Sequence, residues 1–181
     1  FQRVVTTWAA FKQRWGGLHN FLLGGEITSG FNYEMPAMER IVEEVRADPS
    51  GIVRSGVKQS EFDLTDIKAE FCKLPICEAL QHRFVLAHFR LHPNLTGKGQ
   101  VFEGLEERWV EPWRLKLNAE GFTFENCFAI LFASGPHSAS NYHMDYTHQL
   151  AWQRIGTKQF HGLKDPDRWT TLDERGRCTL V

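Results

Sequence analysis

Cysteine is scarce in this chain. Four of 181 residues, at irregular spacing, are too few for the disulfide framework of a small secreted domain. Free thiols in a reducing, cytoplasmic setting are therefore expected. Cys72 and Cys77, in CKLPIC, would make half a zinc site, but no second pair follows, so they are expected to be two small buried side chains. An excess of either charge is also missing: 21 Lys and Arg stand against 22 Asp and Glu, for a formal net charge of −1. That balance removes any long-range pull towards nucleic acid or anionic membranes, and leaves only a local basic patch open. No apolar run approaches the roughly 20 residues of a membrane span, and the first residues do not read as a signal peptide. No membrane partner is expected. Internal repeats and low-complexity segments are absent too.

What remains is ordinary for a globular protein: 42% apolar and 24% charged residues, in a length that can bury a core without covalent staples. The ends are less ordinary. The chain opens on Phe1 and stops in Cys178-Thr-Leu-Val, an apolar run that looks like the start of a strand. Both ends read as cut.

The pattern along the chain divides it into a mainly helical region, 1–120, and a region of short strands, 121–181, within one α+β unit. Trp8, Phe11 and Trp15 recur at helical intervals before Gly16-Gly17. Pro36 can open a second helix whose apolar stripe is Met38, Ile41, Val42 and Val45. Asp48-Pro49-Ser50-Gly51 makes a turn. Thr65 suits the N-cap of DIKAEFCKL, and Pro75 the first position of a helix over ICEALQHRFVLAHFRLH; Pro93 to Gln100 reads as loop. Beyond Gly121 the runs 122–124, 127–133, 141–145, 149–155 and 158–163 have strand length, with turns at Gly135-Pro136 and Gly156-Thr157. Short strands so spaced suggest a sandwich or jelly roll. Six tryptophans are many, and the cluster RWVEPWRL is expected to be packing rather than substrate surface.

Chemistry concentrates in the second region. His143 and Asp145 are two apart on an expected strand, so both point to one face and can offer an imidazole and a carboxylate to a divalent metal. With a third histidine they would form the facial triad of a non-haem iron(II) oxygenase. Alone the pair says little, because about one His-x-Asp or His-x-Glu arises by chance in such a composition. Lys158 adds to it. Lying across one strand and the Gly156-Thr157 turn, it can sit on the neighbouring strand facing the same interior, where its charge needs an anionic partner such as a carboxylate.

The block SxxHMDYTHQLAWQRIGTKQF resembles the HxD strand-turn-strand segment of cupin-like, JmjC-type oxygenases that depend on iron(II) and 2-oxoglutarate. The resemblance spans residues 128–160. It implies that 128–133 is the leading strand and that His143 and Asp145 are iron(II) ligands. It further implies that Gln149 is an amide near the cosubstrate, and that Lys158, after the turn at Gly156, binds the far carboxylate of 2-oxoglutarate with help from Ser140. The implied fold is part of a double-stranded β-helix, the cupin jelly roll, truncated at its C-terminus. The implied activity couples oxidative decarboxylation of 2-oxoglutarate to hydroxylation of a C–H bond. One element is missing. The family's second metal histidine comes from a later strand after a Gly-Asp turn, whereas only His161 follows Lys158 here, at the wrong parity to share its face. The chain is expected to end before that strand, and so to hold metal weakly and not turn over alone.

The other histidines carry less. His82, His88 and His92 fall in or just past the expected helix 76–92; His88 and His92 could share a metal at i, i+4, but no Glu follows the first, so surface or capping roles are expected. His148 is expected to point outward, and His137 to lie in a loop at the pocket mouth or in solvent. The alternative function is a non-catalytic cupin-like module that binds a ligand or partner; a metal-dependent cupin isomerase or hydrolase would need more histidines near His143. Substrate identity and oligomeric state are not legible, with a protein side chain or small molecule favoured over nucleic acid.

Overall fold

The structure is a computed structural model and describes residues 4–15, 20–57, 65–140, 148–161, 168 and 171. It is a mixed α and β arrangement in which small sheets are packed against helices. The main sheet has three antiparallel strands, β3 (Ile52–Ser55), β4 (Phe84–His88) and β5 (Leu131–Ser134), with β4 in the centre. A parallel pair, β1 (Val4–Val5) and β2 (Leu22–Leu23), lies near the N-terminus.

The helices are α1 (Trp8–Arg14), α2 (Met38–Ala47), α3 (Lys68–Phe71), α4 (Ile76–Ala79), α5 (Pro93–Thr96) and α6 (Glu111–Ala119). Thr7 caps α1 by accepting from the Ala10 N–H. On α2 the expected stripe is buried at Ile41, Val42 and Val45, with Met38 partly buried beside them. A π-helical turn, Glu106–Val110, runs into α6. Pro112 explains the widening, since it offers no N–H and its ring crowds the carbonyl one turn back.

Several sequence expectations are corrected. The run 76–92 is not one helix. It is the short α4, then β4, then the approach to α5, because Phe84–His88 finds strand partners on both sides. Every position of Phe84–His88 is apolar or amphipathic, so its pattern fits a buried strand as well as a helix. Thr65 does not cap α3; the Asp66 carboxylate accepts from the Lys68 N–H instead. Pro93–Thr96 is helical rather than loop. Among the described residues, Leu131–Ser134 is the expected strand that forms, within 127–133 and one residue past it; 122–124 and 148–161 have no regular structure, and 141–145 lies outside the described residues. Cys72 and Cys77 are exposed rather than buried.

Alternation along the sheet gives it two faces. Val53, Phe84, Leu86, Leu131 and Ala133 point to one and join α2, α3 and the 95–110 region in the larger core. Val85, Ala87 and Phe132 point to the other, where Phe132 and the nearby Phe89 are exposed and meet edge-on at 6.0 Å. A second core joins Val5, Phe11, Ile27, Trp113 and Leu117. Phe31 and Trp152 touch both cores, with Trp152 set edge-on to Trp109 at 5.1 Å and to Trp113 at 5.5 Å. The tryptophan cluster at 108–115 is therefore packing.

Polar staples fix the loops. The buried Arg46 donates to the carbonyls of Phe71 (3.1 Å) and Leu74 (2.9 Å) at the open end of α3, and pairs with Glu43. Lys68 donates to the carbonyls of Asp48 (2.6 Å), Pro49 (3.3 Å) and Gly51 (2.6 Å), clamping the turn after α2. That turn admits only glycine at 51, since a Cβ there would lie 2.1 Å from the Val45 carbonyl oxygen. Among the described residues no helix is long and apolar enough to cross a membrane.

Leu86 is fully buried at the centre of the sheet, whereas Leu115 on α6 is 59% exposed. Leu86→Ala is expected to lower stability by about 2–5 kcal/mol, and Leu115→Ala by under about 0.5 kcal/mol. Urea denaturation of the two variants beside the parent measures both; equal losses would contradict this core.

Candidate functional site

The segment that leads to the HxD pair is held by backbone. The Gly135 N–H donates to the Phe84 carbonyl (3.0 Å), the Gly56 N–H to that of Arg83 (2.8 Å), and the Ala139 N–H to that of Gly56 (2.9 Å). So the chain leaving β5 passes along the ends of β3 and β4. Contact there is close: a Cβ on Gly135 would stand 1.9 Å from the His82 carbonyl oxygen. The turn reverses at His137, which has φ 54° and is exposed. Ser140 follows and is exposed. His143 and Asp145 lie outside the described residues.

Gln149 and Lys158 are described, and both are exposed. Lys158 is the informative one. Its ammonium lies over the Phe132 ring, 5.5 Å from the centroid, and over the Phe160 ring at 5.2 Å. Phe132 belongs to the sheet face turned away from the helical core, so Lys158 lies over that second face. Trp152, six positions earlier, packs into the core, so the segment sends side chains to opposite sides. Although the residue as a whole is exposed, the rings strip water from the ammonium, and this desolvation draws its pKa below that of an ordinary lysine. Among the described residues no carboxylate pairs with it. His148 stacks at 4.7 Å on Trp15 and is exposed, in a segment without regular structure where strand parity does not apply; His161 is exposed as well.

A second group of chemistry-bearing side chains gathers on the opposite face of the sheet. His88, the last residue of β4, is 1% exposed. Its Nε2 lies 3.3 Å from Asp48 Oδ1, and His92 Nε2 lies 3.4 Å from Asp48 Oδ2. The two rings are 5.1 Å apart between centroids. Burial alone would raise the Asp48 pKa. The Ser50 N–H, which donates to Oδ1 at 2.8 Å, and the two histidines outweigh it and hold the carboxyl below its ordinary value. His92 also caps α5, its Nδ1 accepting from the Asn94 N–H at 3.3 Å. His88 Nδ1 has no hydrogen-bond partner among the described residues.

Helical spacing in the sequence pairs His88 with His92 and points to surface or capping roles. In the structure a strand end and a helix cap bring them together. His92 is the expected cap, but His88 is core. Asp48, the third member, was seen only as part of a turn. Its signal was the Asp-Pro-Ser-Gly turn beside an apolar stripe, which marks a carboxylate at a helix end but not what it faces.

Comparison with family models, with curated proteins and with solved structures found no match to this chain.

Titration of Lys158 tests the ring environment. A folded-state pKa below the unfolded value of about 10.4 means that the charged ammonium disfavours folding at neutral pH. That penalty lifts as pH rises from the folded to the unfolded value. NMR of isotopically methylated lysines should show Lys158 titrating below the other lysines, and Phe132→Ala should move it upward by readmitting water. No movement would show that the rings are not the cause.

Proposed function

We propose that this chain carries the HxD and lysine portion of an iron(II)- and 2-oxoglutarate-dependent oxygenase of the cupin, JmjC-like type. The observation that carries the proposal is the Lys158 ammonium, poised over Phe132 and Phe160 with no carboxylate beside it among the described residues. An ammonium partly stripped of water by these rings favours an anion beside it, and a dicarboxylate cosubstrate supplies one. The motif Ser140…His143-x-Asp145…Gly156-x-Lys158 stands in the order and spacing that such sites use.

On this reading His143 and Asp145 hold the metal, which supplies the oxidising chemistry when 2-oxoglutarate chelates it. The part of Lys158 is to bind and orient. Its ammonium takes the carboxylate remote from the metal and so fixes which end of the cosubstrate faces the ligands. Phe132 and Phe160 limit water around that ion pair, which strengthens it. Ser140 offers a hydroxyl to the same carboxylate, and Gln149 an amide near the cosubstrate. The jelly-roll reading of the fold belongs to this proposal: the second face of the β3-β4-β5 sheet becomes a wall of the pocket, and the helices pack behind it.

The test is a titration of 2-oxoglutarate into the protein under anaerobic conditions, with and without a large excess of iron(II), since His143 and Asp145 alone are expected to hold it weakly. Lys158→Ala is expected to weaken 2-oxoglutarate by about tenfold or more, the scale of one charge-assisted hydrogen bond, and to leave the iron(II) requirement nearly unchanged. His143→Ala and Asp145→Ala should remove the iron dependence. Binding of 2-oxoglutarate that ignores iron in every variant would favour the non-catalytic module, and equal effects of Lys158→Ala on both ligands would remove the role given to Lys158.

A further inference from the structure

We propose that Asp48, His88 and His92 form a second metal site, for one divalent ion of the zinc class, that ties the end of α2 to the end of β4 and the start of α5. It does not depend on the oxygenase reading. The register of the sheet separates the two places. His88 is paired with Leu131 on the helix-facing side, whereas Phe132, which carries Lys158, is paired with Ala87 on the other.

Three features support it. First, the donors converge: one ligand atom from each residue can be chosen so that all lie within 4.8 Å of one another. Second, the spacing suits coordination better than hydrogen bonding. Contacts of 3.3 and 3.4 Å from imidazole nitrogen to carboxylate oxygen are long for charge-assisted hydrogen bonds, which run about 2.7–2.9 Å. The His88 Nε2 to Oδ1 distance matches the edge of a tetrahedron built on metal–ligand bonds of about 2.0–2.2 Å, which is about 3.3–3.6 Å, while His92 approaches the other carboxylate oxygen, Oδ2, so that one ion between the rings can take either oxygen or both. Third, His88 is poorly satisfied as a core residue. It is 99% buried in effect, at 1% exposure, with one nitrogen on a long contact and the other on none. Buried polar groups are ordinarily paired, and a metal bond at Nε2 would offset the burial.

The frame is built independently of any ion. Ser50 N–H and Lys68 fix the Asp48 turn from the backbone side, and β4 fixes His88. Two imidazoles and one carboxylate select zinc, or cobalt in its place, over magnesium and calcium, which take oxygen donors. Three protein ligands leave a fourth position for water.

Loading demands a change of tautomer that makes it testable. Each Nε2 must be unprotonated to bind, which puts the ring proton on Nδ1. His92 Nδ1 then changes from acceptor to donor, and the Asn94 N–H loses its partner. Binding should therefore shift the Asn94 amide resonance, and weaken at low pH, where protonation of the imidazoles competes with the metal.

The experiment uses the full chain, stripped of metal, in a His143→Ala/Asp145→Ala background that removes the other candidate ligands. Co²⁺ is titrated by visible absorption, Zn²⁺ by competition, with the Asn94 amide followed by NMR. We expect one equivalent bound, at least tenfold weaker binding in His92→Asn, whose amide oxygen can still cap α5, and a similar loss in Asp48→Asn, which can still accept from Ser50. Zn²⁺ should raise the melting temperature of the background protein but not of either variant. Absence of saturable binding in that background, or binding that both substitutions leave unchanged, would overturn the site.

Discussion

The pairing of β4 with a strand on each side is the constraint on which the rest of the molecule depends. Phe84–His88 has neighbours in both directions, so its backbone is fully committed and its side chains have no freedom of face. Phe84, Leu86 and His88 go to the helices; Val85 and Ala87 go the other way. A shift of one residue would carry Leu86 out of the core and His88 away from Asp48. It would likewise turn Phe132 inward, if β5 followed. Both places where chemistry gathers are thus hung from one register.

The two faces are finished in different ways. On the helical side, apolar burial is combined with a few charged groups that are each given defined partners: Arg46 on the carbonyls of α3, Lys68 on the turn at 48–51, Asp48 between two imidazoles. On the other side rings are left in contact with solvent, with Phe89 at 54% exposure, Phe132 at 44% and Phe160 at 69%. Cations lie against these rings, Lys158 on Phe132 and Phe160, and Arg90 on Phe128. The helical side holds charge by pairing it; the open side holds charge against aromatic faces.

Much of the first fold layer was legible in the residues. Trp8 and Phe11 recur at helical spacing, and Pro36 stands before the stripe from Met38 to Val45, and these helices form where they are expected. β4 was not legible. Arg83 to Phe89 lacks alternation because the central strand is covered on much of both faces, so the cue that separates strand from helix is erased by burial itself. The candidate sites divide in the same way. Lys158 stands out in the sequence because motif spacing is local. Asp48 does not stand out beside His88 and His92 because it lies forty residues before His88 and meets the two rings only through tertiary packing.

Trp152 carries a consequence of its own. Residues 148–161 run without regular structure, and among the described residues no backbone-to-backbone hydrogen bond fastens them to the sheet. What fastens them is the indole wedged among Phe31, Trp109 and Trp113, with Arg154 laid on Trp109 and reaching the Tyr33 carbonyl. Apolar association of this kind loses strength on cooling, whereas a strand ladder relies on it less. Chilling should therefore loosen this segment, and Lys158 with it, while β3, β4 and β5 stay joined.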